Sequence, residues 1–174
     1  MSKIAYDLTK IKGIAFDVDG VLSPSTIPMS DDGVPMRMAN IKDGYAMQLA
    51  VKQGIKIAII SGANTEAIRR RYNTLGINDV FLGAAHKLPV LHDWLIKEGL
   101  FAEEVAYVGD DIPDIRVMEY VGLAVAPADA AVDVKRIARF ISTRNGGYGV
   151  ARELIEEVMR ARGLWLASDV AFGW

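Results

Sequence analysis

Two acids mark where this 174-residue chain could do chemistry. In Ile14-Ala15-Phe16-Asp17-Val18-Asp19-Gly20-Val21-Leu22 an apolar run ends in carboxylates one residue apart, followed by glycine. Side chains alternate along a strand, so Asp17 and Asp19 leave it on the same side. Neighbouring anions at the end of a buried strand repel each other, and a cation, a proton or a reaction has to offset that. Three further groups suggest which. Ser61-Gly62 follows the apolar run Ile55–Ile60, Lys87 opens a later helical stretch, and Gly109-Asp110-Asp111 follows Val105–Val108. A serine and backbone N–H groups at a helix start can hold phosphate oxygens, and a lysine adds a positive point charge. The acids suit Mg²⁺, a hard ion that prefers oxygen ligands and often shares them with phosphate. One carboxylate could then attack phosphorus to give an aspartyl-phosphate. Its neighbour could protonate the leaving oxygen and later deprotonate a water.

These residues must be gathered by the elements around them. The spacing predicts strands over 12–16, 55–60, 79–82, 105–108, 123–126 and 139–142. It predicts helices over 43–53, 65–75, 87–98, 114–120, 132–138 and 150–161. Continuous apolar strand runs suit a sheet buried on both faces. Strands alternating with helices call for a parallel sheet covered by helices on both sides. In such folds ligands sit beyond the carboxyl ends of the strands, which places Asp17, Asp19, Ser61, Lys87, Asp110 and Asp111 on one rim. The segment 23–40 breaks the alternation. Asp31-Asp32-Gly33 reads there as a hairpin turn, with Pro28 and Pro35 favouring edge strands.

Composition narrows the remaining options. The chain is 51% hydrophobic and 24% charged with a net charge of −2, so it has no global electrostatic case for nucleic acid or an anionic membrane. The absence of cysteine excludes disulfides, thiolate zinc sites and cysteine nucleophiles. The first ten residues lack an apolar signal core and no run reaches about 18 apolar residues, so a soluble cytoplasmic protein of one domain is expected. His86 and His92 lie six apart without a metal motif and read as surface or edge histidines.

Asp17-Val18-Asp19-Gly20, then Ser61, Lys87 and Gly109-Asp110-Asp111-x-x-Asp114, resemble the four motifs of the haloacid dehalogenase superfamily phosphatases. Within that superfamily the chain is similar to the 3-deoxy-D-manno-octulosonate 8-phosphate (KDO 8-phosphate) phosphatases. Asn40-Ile41-Lys42-Asp43-Gly44-Tyr45, Arg71 before Leu75-Gly76-Ile77, and Gly146-Gly147-x-Gly149-x-x-Arg152-Glu153 extend the likeness over most of the chain. The resemblance implies a Rossmann-like three-layer α/β/α fold with a parallel central sheet and a small β-hairpin insertion, about 23–40, in place of a cap domain. It implies an Mg²⁺-dependent hydrolase of KDO 8-phosphate in lipopolysaccharide sugar biosynthesis. Asp17 would be the nucleophile and Asp19 the general acid/base. Mg²⁺ would be held by the Asp17 side chain, the Asp19 backbone carbonyl and Asp110, with Asp111 and Asp114 orienting that site from beside it. Ser61, Gly62 and Lys87 would hold the phosphoryl group. Asn40, Lys42, Asp43, Gly44 and Arg71 would lie along the substrate pocket. Members of the subfamily form homotetramers in which a neighbour's hairpin and tail help to close the site. Here the tail is 163–174, with Trp165, Phe172 and Trp174.

The chain departs from the family pattern at Pro24-Ser25 and at Ala63, the residue after Ser61-Gly62. At the position of Ala63 many members acting on the eight-carbon substrate carry arginine, and relatives acting on nine-carbon sugar acids tend to carry an acid; Ala63 matches neither. A nine-carbon sugar-acid 9-phosphate phosphatase is therefore the alternative substrate reading. From another class, a non-catalytic assembly domain would be expected to lose the acids that this chain keeps. A nucleotide-binding module would need a Gly-x-Gly-x-x-Gly after the first strand, which is absent.

Overall fold

The computed structural model describes residues 2–174. Six strands, β1 (Gly13–Phe16), β2 (Lys56–Ile60), β3 (Asp79–Phe81), β4 (Val105–Val108), β5 (Leu123–Ala126) and β6 (Phe140–Ile141), form one sheet of order β3-β2-β1-β4-β5-β6. Every pairing is parallel. β1 is central, and Phe16 stands opposite Ile59 of β2 and Val108 of β4. The chain winds from β1 outward to β3, then returns to build β4 to β6 on the other side. The strand order therefore reverses at β1 and β4, and a crevice opens beyond their carboxyl ends.

The helices α1 (Ile41–Lys52), α2 (Glu66–Asn73) and α6 (Val150–Ala161) cover one face, and α3 (Lys87–Glu98), α4 (Ile115–Tyr120) and α5 (Val132–Ile137) cover the other. Strand alternation divides the core between them. Ile14, Phe16, Ile57, Ile59, Ala106, Val108, Leu123 and Val125 point into the first layer. Ala15, Ala58, Ile60, Val105, Tyr107, Ala124 and Ala126 point into the second, against Leu91, Trp94 and Val117. The three-layer α/β/α expectation holds, and each helix ends where the sequence placed its stop within about two residues. Four short 3₁₀ turns, which sequence periodicity did not indicate, lie at Leu8–Lys10, Ala102–Glu104, Ile112–Asp114 and Asp169–Phe172.

One expectation needs correction. The insertion folds back on itself, with Gly33 at φ +76° and Gly33 N–H donating to the Ser30 carbonyl at 2.9 Å. It builds one isolated antiparallel bridge, Met29 to Pro35, and no strand. Pro28 and Pro35 have no N–H to donate, so a ladder cannot propagate through them. Part of the tail packs on its own chain. Trp165 and Trp174 meet Tyr45 edge-on with centroids 6.4 and 5.9 Å away. The Tyr45 hydroxyl donates to the Ala171 carbonyl, and Arg152 lies 4.6 Å over the Trp165 ring. Phe172 and Trp174 nevertheless stay 77% and 67% exposed, and Phe172 makes none of these contacts.

Candidate active site

Asp17 is the first residue after β1, and its N–H donates to the Val108 carbonyl at 3.0 Å. That bond carries the sheet register one step past the strand, so the nucleophile candidate sits on the rigid centre of the fold. The N–H groups of Val21, Leu22 and Ser23 all converge on the Val18 carbonyl at 2.9–3.2 Å, a tight turn that brings Asp19 back to the rim. Gly20 sits at φ +78°, and any Cβ there would collide with the Asp110 carboxylate. Glycine is thus required at position 20 for both conformation and space.

Asp17, Asp19, Gly20, Ser61, Gly62, Lys87, Asp110, Asp111 and Asp114 line one cleft of about 430 Å³, together with Ser25, Ala63 and Pro113. The structure therefore brings together every residue expected to react, hold metal or hold phosphate. A larger, more apolar groove of 720 Å³ runs beside it along Leu88, Pro89, Ile112 and Ile115 but holds none of the rim carboxylates.

Lys87 lies at the first turn of α3, where the helix dipole disfavours a cation. It is nevertheless buried, because its Nζ lies 2.8 Å from Asp17 Oδ2 and 2.7 Å from Asp114 Oδ1. Burial disfavours its ammonium, but these two carboxylates outweigh that and hold its pKa above the usual lysine value. Asp114 is fully buried and saturated. Oδ1 accepts from Lys87 and from the Tyr107 hydroxyl, both at 2.7 Å, and Oδ2 accepts from the N–H groups of Asp110 at 3.0 Å and Asp111 at 3.3 Å. Four donors fill its roughly four lone-pair positions. Asp114 thus aims its neighbours and has no oxygen left for an ion. Gly109 is needed here for space: its Cβ would strike the Asp114 side chain, and its φ is not positive. Asp111 is exposed and accepts from the Ile112 N–H at 2.8 Å, so it caps the following 3₁₀ turn while lining the cleft.

Asp110 carries the free oxygens, and each Asp17 oxygen has a single donor and so a lone pair to spare, Oδ2 facing Lys87 at 2.8 Å. Asp17 Oδ1 accepts from the Val18 N–H at 2.7 Å, and the Asp110 side chain has no hydrogen-bond donor among the described residues. Burial pushes the Asp17 carboxyl up to about 7, with the Asp114 charge adding to it and Lys87 opposing. Burial also lifts Asp110 to about 8, helped by Asp17, Asp114 and Asp111. Asp17, Asp110 and Asp114 each place an oxygen within 4.8 Å of the others. This concentration of hard oxygen donors, uncomfortable as bare anions, fits a divalent cation such as Mg²⁺. Asp17 and Asp110 would hold it.

Ser61 is buried, its Oγ accepting from the Ala63 N–H at 3.1 Å. Its hydroxyl proton and the Gly62 N–H find no acceptor among the described residues, so both are available to an anion in the cleft.

The five residues expected along the substrate pocket do not line this cleft. Asn40 caps α1, accepting from the N–H groups of Lys42 at 2.9 Å and Asp43 at 3.2 Å, and donates to the Gly147 carbonyl at 3.1 Å. Asp43 is buried and accepts from the Arg152 N–H at 2.8 Å, capping the start of α6. Burial raises its carboxyl to about 6, against the Arg152 and Gly149 N–H groups. Gly44 leaves room for the Arg71 guanidinium, which a Cβ would crowd. Lys42 is exposed and lines a separate polar hollow with Arg144 and Arg152. His86 is exposed, whereas His92 is half-buried, stacked edge-on against Tyr120 with centroids 4.5 Å apart.

Two site residues escaped the sequence reading. Tyr107 is a strand residue buried beneath the rim, and a tyrosine two positions before Gly109 in an apolar run was its available signal. Arg37 comes from the insertion and binds both Asp19 oxygens. No spacing rule connects it to the rim.

Comparison with known proteins agrees with this geometry. The family model described as haloacid dehalogenase-like hydrolase matches residues 79–154. The 3-deoxy-D-manno-octulosonate 8-phosphate phosphatase KdsC of Escherichia coli (strain K12) is 39% identical over 153 residues, 88% of this chain and 81% of that protein. The crystal structure of the 3-deoxy-D-manno-octulosonate 8-phosphate phosphatase from Yersinia pestis matches with TM-score 0.87 and 35% identity, covering 90% of this chain and 85% of that one. The Moraxella catarrhalis phosphatase of the same name, crystallised with magnesium ion, phosphate ion and KDO, matches with TM-score 0.86 and 30% identity over 90% of each chain. The chain belongs to the haloacid dehalogenase-like hydrolases, within the family of 3-deoxy-D-manno-octulosonate 8-phosphate phosphatases.

Proposed function

We propose that the protein is an Mg²⁺-dependent phosphatase that hydrolyses KDO 8-phosphate to KDO and phosphate. The observation that carries the reading is the cleft itself: Asp17 and Asp110 with unfilled lone pairs, Lys87 held between Asp17 and Asp114, and unpaired donors at Ser61 and Gly62, in a chain of this family. Asp17, Asp110 and the Asp19 backbone carbonyl would hold Mg²⁺, which would supply charge neutralisation for the phosphoryl oxygens and the acids.

Ser61, the Gly62 N–H and Lys87 hold the phosphoryl group against Asp17. A carboxylate oxygen of Asp17 bonds to phosphorus as the bond from phosphorus to the sugar oxygen breaks, and Asp19 gives that oxygen a proton. In the second half a water attacks phosphorus, Asp19 takes its proton, and the Asp17–phosphorus bond breaks to release phosphate. Asp114 and Tyr107 keep Lys87 and the Asp110 backbone aimed throughout, and Asp111 shapes the rim beside them. The chain acts as one hydrolase domain, with Asn40, Lys42, Asp43, Gly44 and Arg71 shaping the wall between the insertion and α6 toward the sugar.

The enzyme works in the cytoplasm as a homotetramer whose insertion and tail meet neighbouring subunits. Exposed Met29, Val34, Met36 and Met38 on the insertion, and Phe172 on the tail, support this. Among the described residues no helix is long and apolar enough to cross a membrane.

The test is a panel of phosphate esters assayed with Mg²⁺. KDO 8-phosphate should exceed nine-carbon sugar-acid phosphates and simple sugar phosphates. Asp17→Asn and EDTA should each abolish turnover, by at least about 10³-fold for the lost nucleophile. Flat activity across the panel rejects a dedicated sugar-acid enzyme, and turnover surviving Asp17→Asn rejects the covalent route.

A further inference from the structure

Asp19 does not stand free in the cleft. Arg37 reaches it from the insertion, with Nε 2.7 Å from Oδ1 and Nη2 2.8 Å from Oδ2. Both carboxylate oxygens meet one planar guanidinium, a pairing that fixes direction as well as distance. The Arg37 side chain is 14% exposed and that of Asp19 45% exposed, so arginine shields the outer side of the acid while the acid keeps an open face. The third nitrogen, Nη1, lies 3.5 Å from both the Pro35 carbonyl and Thr65 Oγ1 at the start of α2. The base of the insertion is tied as well: the Met38 N–H donates to Ser23 Oγ at 3.1 Å, and the Ser23 N–H donates to the Val18 carbonyl at 2.9 Å. Arg37 is therefore held from both ends of the segment, against a fixed helix start.

A half-exposed ion pair contributes about 0–1 kcal/mol to stability, too little for folding to be its main consequence. Its geometric effect is larger. An aspartate χ2 is a broad, roughly two-fold torsion, so an unpaired carboxylate samples many orientations. We propose that Arg37 is a positioning residue for proton transfer: its fork sets the plane and reach of the Asp19 carboxylate, and through it the insertion bears on the reaction. This rests on the reading of Asp19 as the acid and base. Misplacing a catalytic group by about 1 Å costs roughly 10²-fold, so the effect should be confined to the step in which a proton moves.

Leaving-group dependence isolates that step. Departure of a sugar alkoxide needs the Asp19 proton, whereas p-nitrophenolate leaves without one. The value of kcat/KM reports events up to leaving-group departure, so it is the quantity to compare. Arg37→Ala should lower kcat/KM about 30-fold on KDO 8-phosphate and no more than about 3-fold on p-nitrophenyl phosphate. Arg37→Lys restores the charge without the fork and should fall between. Asp19→Asn should show the same selectivity, more strongly. Equal losses on the two substrates for Arg37→Ala, or no loss on either, overturn the proposal while leaving the phosphatase reading intact. Absence of leaving-group selectivity in Asp19→Asn overturns the role of Asp19, and the proposal with it.

Discussion

Lys87→Met removes the ammonium that pairs with two buried carboxylates and keeps most of the side-chain volume. In the folded chain Nζ sits 2.8 Å from Asp17 and 2.7 Å from Asp114, with side chains only 5%, 12% and 1% exposed respectively. Water, with little access to these side chains, compensates the lost charge only weakly. Breaking a buried pair by removing one partner costs about 3–5 kcal/mol. For a chain of this size each kcal/mol lowers Tm by about 2–4 °C, so a fall of roughly 6–20 °C is expected in EDTA. The cost should depend on pH. Asp17 and Asp110 are held at about 7 and about 8 with the lysine present, and without it they rise further. A raised carboxyl stabilises the fold at low pH, where both states are protonated alike, and that contribution is lost as pH climbs through the folded value. The mutant should accordingly lose more at pH 8 than at pH 6. Added Mg²⁺ should raise its Tm more than that of the wild type, since the ion replaces missing charge. Thermal and urea denaturation with EDTA or Mg²⁺ at both pH values measure all of this. A mutant as stable as wild type at pH 8 in EDTA, or with equal losses at the two pH values, would refute the electrostatic account of the site.

Two further perturbations test the scaffold. Asp43, pushed to about 6 by burial, favours the folded state most below the usual carboxyl value of 3.8, and that advantage disappears as pH rises through 6. Asp43→Asn keeps an acceptor for the Arg152 N–H and cannot ionise, so it should gain on the order of 2 kcal/mol relative to wild type between pH 4 and pH 8; parallel unfolding curves at both pH values would contradict this. A Cβ on Gly146 would collide with the Gly20 carbonyl, which is backbone of the turn that carries Asp19, whereas one on Gly44 meets chiefly the flexible end of Arg71. Gly146→Ala should therefore cost about 1–3 kcal/mol and depress kcat, while Gly44→Ala, inside helix α1, should be neutral or gain up to about 1 kcal/mol. Equal Tm values for the two variants would remove the packing argument.

What was legible in the sequence follows from local physics. Lys87–Glu98, Val105–Val108, Leu123–Ala126 and Val150–Ala161 form the elements their patterns predict, because each is a periodic or continuous apolar segment next to a glycine or proline. The rim was legible for the same reason: parallel strands end together, so residues just past their ends converge whatever the loops do. Asp17, Asp19, Ser61, Lys87 and Asp110 share one cleft on that account. The tertiary structure alone decided how they are connected. Lys87 and Asp114 are 27 positions apart, Arg37 and Asp19 are 18 apart, and Asp43 reaches Arg152 across 109. Such contacts join loops and helix ends, where no side-chain period operates. The same holds for the insertion, where two prolines deny the turn a ladder, and for the tail, which found Tyr45 within its own chain. The types and order of the reactive groups are written locally. Which carboxylate is saturated, which is free and which is forked by arginine depends on atoms that only the folded chain brings within hydrogen-bond range.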